Sequence, residues 1–447
     1  MPFCSITGRS DSQCHGVQTI ETSMPDSHFL DSQHFDVAVI GAGIAGSMAA
    51  FLSSRAGLRT VLLERQRFPR HKVCGCCVNG RAFQMLRLAG MESGIRRLQP
   101  ATTSSLAVRY RGRRLNVPMP SGFAVSRRTM DQWLVNEAVT SGCQFVDGVT
   151  ASVQPLASES EGGLSENTDP GKTDRSEVRA VQLRFANRHA PHGTTTCDNE
   201  IAALPDVHVS ARVVLVCDGL GQPSLHLLSN FKAEPEAGSR IGLGAVFPRA
   251  AADAWIKEGE VLMAVAPQGY AGVVEIENNQ LNLAAAIDPS CLNKSNSPLD
   301  CLASIFRSAG VPMPQEFQHA TIKGTVPLTR SARRIAGHRL FLLGDSTGYV
   351  EPFTGEGMAC AVTAATAAIP FVISAIRDGW SDELINRWQS SFHEMTRTQQ
   401  KICRLLSATL RHPWLLPPVL TTCQLFPSLT QHLVSRINRV PEALEIV

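Results

Sequence analysis

The segment Arg70-His71-Lys72-Val-Cys74-Gly75-Cys76-Cys77-Val-Asn79-Gly80 gathers thiols, basic side chains and glycines within a few positions. Three thiols so close together do not readily close a tetrahedral metal site, and no second ligand pair at zinc spacing stands nearby. No metal is therefore expected. A redox disulfide within the trio is one option, although neighbouring cysteines bridge only with strain; a tight loop with inert thiols is another. His71 and Lys72 raise the local positive potential and so favour a thiolate. Lys72 read alone is a solvated charge. Further along, Glu351 and Glu356 flank a glycine-rich turn. Solvent-facing carboxylates or helix N-terminal charges are the preferred reading, with assistance to proton transfer as the alternative. Tyr270, one of three tyrosines, suits donation to a substrate oxygen or simple packing.

The element that has to position such groups is Asp36-Val-Ala-Val-Ile-Gly41-Ala-Gly43-Ile-Ala-Gly46, which runs on to Thr60-Val-Leu-Leu-Glu64-Arg65. An apolar strand, a G-x-G-x-x-G turn, a small-residue helix and a second apolar strand form one unit. Gly41 permits the tight turn, Gly43 lets backbone approach a pyrophosphate, and Gly46 lets helix and strand pack closely. Ile44 and Ala45 open the helix, whose free N–H groups and positive dipole end attract that pyrophosphate. Glu64, with Arg65 beside it, ends the second strand where ribose hydroxyls need an acceptor. These residues are assigned to a dinucleotide.

At 447 residues with a formal net charge of +3, the chain has room for two or three domains and carries no polyanion footprint. Nucleic acid is not expected as a partner. Thirteen cysteines without a scaffold pattern, and no secretory segment, predict a reducing cytoplasm. Residues 1–33 read as a disordered leader. Met358 to Ile376 is uncharged but Ala- and Thr-rich with Pro370 inside, which predicts a buried helix rather than a span. Residues 405–426 are apolar but interrupted by Arg411, His412 and prolines; bundle packing is expected, and membrane-surface or greasy-substrate contact also suits them.

In order, residues 81–99 predict a helix with Phe83, Leu86, Leu88 and Met91 inward. Strands follow at Leu106–Tyr110 and Leu115–Val117, then a helix capped by Ser126 and stopped near Gly142. Alternation predicts antiparallel strands at Phe145–Val153, Val178–Phe185 and Val207–Val216, with a mobile insertion at 158–176. Four more strands lie between Ile241 and Ile287, with Asn278-Asn279 as a hairpin turn. A helix is expected at 298–309 and a buried strand at Arg339–Leu343. The resulting division is a discontinuous nucleotide domain (34–80, 120–225, 330–370), a substrate domain (81–119, 226–329) and helices (371–447).

A strand ending in Gly344-Asp345, followed by Pro352, Gly355 and Gly357 before a small-residue helix, resembles the second FAD motif of the para-hydroxybenzoate hydroxylase superfamily. That resemblance implies that Asp345 binds the ribityl or ribose region. It also places Gly355, Gly357 and Met358 against the flavin ring, where backbone N–H groups stabilise negative charge. Arg127, four before Asp131, resembles the arginine that follows the third strand of that family's FAD domain. Cys217-Asp218-Gly219 resembles its middle Asp-Gly motif. The implied fold is α/β: a Rossmann-like FAD-binding domain, discontinuous in sequence, with an antiparallel substrate sheet and a C-terminal helical region.

Lys72-Val-Cys74-Gly75 resembles the Lys-x-Cys-Gly loop of geranylgeranyl reductases and FixC-like flavoproteins; similar loops occur in flavin enzymes that act on polyketides. Pro267-Gln-Gly269-Tyr270-Ala-Gly272 resembles the Pro-x-Gly-Tyr stretch facing the flavin in that group. The resemblance implies Cys74, Lys72 and Tyr270 as catalytic candidates. The aromatic residues that usually precede this stretch are replaced by Met263, Ala264, Val265 and Ala266, a departure that counts against a geranylgeranyl lipid. No Trp-x-Trp-x-x-Pro segment is present, which counts against halogenation. The expected activity is that of an FAD-dependent oxidoreductase drawing on NAD(P)H without a separate nicotinamide domain. It reduces or hydroxylates an apolar small molecule (isoprenoid, polyketide or aromatic). An electron-transfer flavoprotein serving quinone, and a non-catalytic nucleotide module, are the competing readings.

Overall fold

The computed structural model describes residues 33–156, 178–185, 207–250, 255–295, 297–313, 315–351, 353, 355–426, 428 and 434–435. The leader up to residue 32 and the 158–176 insertion lie outside these.

Gln33–Ile40 is the centre of the first sheet. It pairs in parallel with Thr60–Glu64 on one side and Val207–Val216 on the other, with Val37 facing Thr60 and Val213. Gln144–Asp147 and Leu340–Leu342 extend the parallel order outward. Parallel strands are covered on both faces, and the alternation shows it. Val37 and Val39 face the helices Ile44–Arg55 and Gly357–Arg377, while Ala38 and Ile40 face Val181, Leu183 and Phe231. Two distant parts of the chain thus share one core; among the described residues one helix, Gly357–Arg377, is long and apolar enough to cross a membrane, and 72% of its most apolar stretch is buried inside the molecule.

The second sheet runs Lys323–Pro327, Ile241–Pro248, Gln280–Ile287, Gly269–Ile276, Glu260–Ala266, Ala101–Tyr110, Arg113–Ala124 and Cys77–Val78. Asn278 and Asn279 both have positive φ (59° and 53°), the geometry of a tight hairpin turn between its central strands. One face is closed by the helix Pro298–Ala309 through Cys301, Leu302, Ile305 and Phe306. The other, with Met263, Val265 and Tyr270, packs against Leu410, Leu416 and Leu420 of the C-terminal helices Glu383–Arg411 and Leu416–Leu425.

Several expectations change. Residues 81–99 form two helices, Gly80–Leu88 and Glu92–Arg97, because Gly90 takes φ +78° between them. Leu86 and Met91 face inward as expected, together with Ala82 and Met85; Phe83 is half-buried and Leu88 is exposed. Both helices pack into the nucleotide core rather than the substrate sheet, which, after the short strand Cys77–Val78, takes up the chain again at Ala101 and keeps it to Ala124. The segment 145–153 is split by Gly148 at φ +70°. Its first half is parallel to Thr60–Glu64, and its second half pairs antiparallel with Arg179–Phe185. Val207–Val216 is antiparallel to Arg179–Phe185 yet parallel to the central strand. In the substrate sheet Glu260–Ala266 runs parallel to Ala101–Tyr110. Cys291 and Cys301 form a disulfide between neighbouring helices, a link that no spacing pattern announced.

One carboxylate joins the two halves. Glu277, buried at the tip of the substrate sheet, accepts hydrogen bonds from the Ser126 N–H (2.8 Å), the Ser126 hydroxyl (2.5 Å) and the Thr129 hydroxyl (2.6 Å). It therefore completes the cap of the Arg127–Thr140 helix, in which the Ser126 hydroxyl accepts from the Thr129 N–H. Removing a charged acceptor from buried donors costs on the order of 2–3 kcal/mol. Glu277→Ala should lower the thermal unfolding midpoint by several degrees, with Glu277→Gln intermediate, as read by circular dichroism.

Candidate cofactor and substrate site

A cavity of about 290 Å³ lies between the two sheets. On the nucleotide side its wall includes Gly43, Ile44, Ala45, Arg127, Gly219 and Gly344, and it continues over Asp345, Gly355, Gly357 and Met358. The glycine turn and the segment assigned to the flavin ring thus share one space, whereas Glu64, expected to accept from ribose hydroxyls, is off this wall and spends both oxygens on Ala42, Gln66 and Arg70. At Gly41 and Gly46 the turn has no room for a side chain. A Cβ on Gly46 would sit 1.9 Å from the Gly41 carbonyl oxygen, and one on Gly41, at φ +100°, only 2.5 Å from the Cys217 carbonyl oxygen. Helix starts at Ile44 and Gly357 have no side-chain cap, so their first-turn N–H groups remain for a ligand.

Behind Gly43 runs a buried chain of charges. Arg127 donates to both Asp131 oxygens (2.8 and 2.9 Å), Arg70 donates to Asp131 (2.9 Å), and Arg70 also reaches Glu64 (3.4 Å). Glu64 in turn accepts from the Ala42 N–H (3.0 Å) and the Gln66 N–H (2.8 Å), bracing the glycine turn. Arg127 and Arg70 bring guanidinium nitrogens to within 3.5 and 3.9 Å of the Gly43 Cβ position. An unobstructed glycine, helix N–H groups and two fixed guanidinium groups fit an FAD pyrophosphate. Asp131 and Arg70 did not stand out in sequence as site residues; the Arg127-to-Asp131 spacing and the basic loop were the available signals.

Other candidates are placed differently. Arg65 is exposed and off the cavity wall. Asp218 accepts from the Ser224 N–H (2.8 Å) and the Ser346 hydroxyl (3.2 Å), stitching its strand end to the Gly344–Thr347 turn. Burial pushes its carboxyl pKa up. Lys72 sits 3.5 Å from Asp345 and so belongs to the cofactor side of the loop. Pro352 lies outside the described residues.

Cys74 lies on the cavity wall, and its carbonyl is tied to the substrate sheet by the Asn282 amide (2.9 Å). The Cys76 thiol beside it and the Arg127 guanidinium lower its pKa to about 6 against the opposing effect of burial. Burial and the Cys74 charge push Cys77 up to about 12, and Cys76 is raised well above the ordinary thiol value by its bond to Cys74 and by burial. The basic partner is thus Arg127 rather than His71, whose own pKa is lowered by burial. Tyr270 also lines the cavity, edge-on to Phe353 at 5.1 Å with Arg240 over its ring at 5.7 Å; burial raises its hydroxyl pKa well above normal. No group of three or more metal-ligating side chains occurs among the described residues.

The two carboxylates read as solvent-facing are both buried. Glu351 pairs with Arg240 (3.0 Å) and accepts from the Ser407 hydroxyl (3.0 Å), a packing role behind Tyr270. Glu356 forms part of the cavity wall itself.

Comparison with known proteins agrees with this geometry. Residues 34–181 match the FAD binding domain family. The chain is 25% identical over 371 residues to digeranylgeranylglycerophospholipid reductase 2 of Methanopyrus kandleri, covering 80% of this chain and 82% of that protein. It is 24% identical to the menaquinone reductase of Mycolicibacterium smegmatis, over 72% of each. In structure it resembles PqsL, a probable FAD-dependent monooxygenase from Pseudomonas aeruginosa, with a TM-score of 0.64 at 17% identity, covering 87% of this chain and all of that one.

In protein stripped of flavin, one thiol should alkylate fast, with a pH midpoint near 6, and peptide mapping should place it at Cys74. Cys76→Ala, which removes the largest stabilising contact, should move that midpoint upward toward the ordinary thiol range.

Proposed function

From the premise that the chain is an FAD-dependent oxidoreductase of the para-hydroxybenzoate hydroxylase type, we propose that it reduces a carbon–carbon double bond in an apolar, isoprenoid-like molecule, with NAD(P)H as electron donor. One observation carries this reading: the part of the cavity wall built by the second sheet bears no charged side chain. Leu106, Met119, Val261, Met263, Val273 and Leu328 stand there among small residues at Gly242, Gly272 and Ala284–Ala286. Transfer of apolar surface into such a space is favourable by about 25 cal/mol per Å², and this face offers a charged substrate no partner. Bound FAD supplies the two-electron chemistry. Arg127, the helix starts and Asp345 hold it; the apolar wall positions the substrate and excludes water. The reductases among the similar proteins support reduction over hydroxylation.

The test is anaerobic turnover of the flavin-loaded protein with NAD(P)H and a polyprenyl substrate, followed by mass spectrometry. The expected product gains two hydrogens for each bond reduced. A product that gains oxygen, with matching oxygen consumption in air, overturns the reading in favour of a monooxygenase. Reduction of quinone analogues alone identifies an electron-transfer flavoprotein.

Delivery of such a substrate fits a membrane surface at the C-terminal helices. Trp414 is 72% exposed and Leu425 69%, with Leu405 and Phe426 also exposed, while Leu416 and Leu420 of the same region pack on the substrate sheet. Apolar side chains of this size beside Arg411 suit shallow insertion at an interface. Wild-type protein should co-sediment with anionic vesicles, and the double substitution Trp414→Ser and Leu425→Ser should cut binding by about tenfold or more, with flavin content unchanged.

A further inference from the structure

Glu356 is 2% exposed and stands between two cavities. One is the cofactor and substrate space. The other, about 60 Å³, lies behind the start of the Gly357–Arg377 helix and is lined by Ala364, Thr396, Gln399, Gln400 and Cys403 among others. Glu356 lines both. We propose that Glu356 is the proton-holding group of the reaction, filled through the second cavity and emptied into the first.

The hydrogen bonds around it are fixed in direction. Asn79 donates to Glu356 Oε1 (2.9 Å) because its own oxygen is taken by the Ala82 N–H (3.0 Å). Gln399 donates to Glu356 Oε2 because its oxygen is taken by Arg81. Both contacts, and the Arg81 charge, favour the carboxylate. Burial favours the acid and outweighs them, so the pKa rises to about 7. The other titratable groups around it are Asp345 and Tyr349 from the turn after Leu340–Leu342, Cys360 on its own helix, Cys403 on Glu383–Arg411 and Cys77 on the facing loop. Burial pushes the three thiols up, to about 11 for Cys360 and about 12 for Cys403 and Cys77, so none of them carries charge at neutral pH.

The chemistry needs such a group. Reduction of a double bond adds a hydride to one carbon, which reduced FAD would supply when bound, and a proton to the other carbon. As that C–H bond forms, the Glu356 O–H bond breaks, and the carboxylate left behind regains a proton from water through the second cavity. The uncapped start of the same helix lines the cavity, and negative charge on a reduced cofactor bound there would raise the carboxyl's proton affinity. The proposal rests on the reductase reading of the site and makes use of a carboxylic acid that the cofactor cradle does not employ.

The decisive measurement needs no substrate. The wild-type holoprotein is photoreduced without oxygen at pH 7.5 in weak buffer with an indicator dye, and proton uptake is counted. Wild type should take up about half to three-quarters of a proton more per flavin than Glu356→Gln, and infrared difference spectra of wild type alone should gain a buried carboxylic acid carbonyl band. In turnover, Glu356→Gln should fall by about a hundredfold or more, and formate should partly restore Glu356→Ala. Ala364→Leu, which plugs the second cavity, should slow proton uptake without changing its extent. Equal uptake by wild type and Glu356→Gln, or no carbonyl band in wild type, overturns the proposal even if turnover suffers. Uptake and band present with no reduction of polyprenyl substrate sinks the functional reading and leaves Glu356 standing.

Discussion

The arrangement depends on the buried chain Glu64, Arg70, Asp131 and Arg127. Two guanidinium groups and two carboxylates sit almost entirely out of water, each charge compensated by its neighbours. Breaking a buried pair by removing one partner leaves an uncompensated charge and costs about 3–5 kcal/mol. The chain of charges therefore locks three segments together: the end of the second strand, the basic loop and the first turn of the Arg127–Thr140 helix. It also aims the guanidinium groups at Gly43, where two opposed carboxylates keep them fixed before any phosphate arrives. Such a site loses little side-chain entropy on binding.

The two walls of the cavity differ in kind, and the difference follows from how each sheet is covered. The parallel sheet presents strand ends and helix starts, which are dipolar by construction and gather Arg127, Lys72 and Asp345. The antiparallel sheet presents a face. Its outward-pointing side chains at Met263, Val265 and Tyr270 are sealed by the C-terminal helices, so they must be apolar or stacked. One wall thus carries the charged and dipolar groups of the cavity, and the other is apolar. The Glu277 clamp keeps the walls in register, since it ties the tip of the substrate sheet to the capped helix that carries Arg127.

Cys74 and Glu356 show how one environment separates two acids. Cys74 lies under Arg127 and accepts from Cys76, so its anion is favoured despite burial. Glu356 faces amide donors with Arg81 as its main countercharge, and burial prevails. At neutral pH the thiol side of the loop is charged while the carboxylate near the helix start stands close to half-protonated.

What the sequence determined by itself was whatever local rules govern. The G-x-G-x-x-G turn between two apolar strands, the Ser126 cap, the Asn278-Asn279 hairpin and the Gly344-Asp345 strand end are each written in adjacent residues, because turn geometry and periodicity are short-range. Tertiary structure alone decided which distant groups meet. Nothing in the spacing of Glu64, Arg70 and Asp131 announces a shared ion network, and Asp218 reads the same whether it meets a ligand or Ser346. Burial was the other quantity hidden from the sequence. Glu351 and Glu356 look like surface charges on a glycine-rich turn, yet the long C-terminal helix covers both through Ser407 and Gln399. That covering contact is between residues far apart in the chain, and it turns two solvated carboxylates into an ion-pair partner and an acid with a near-neutral pKa.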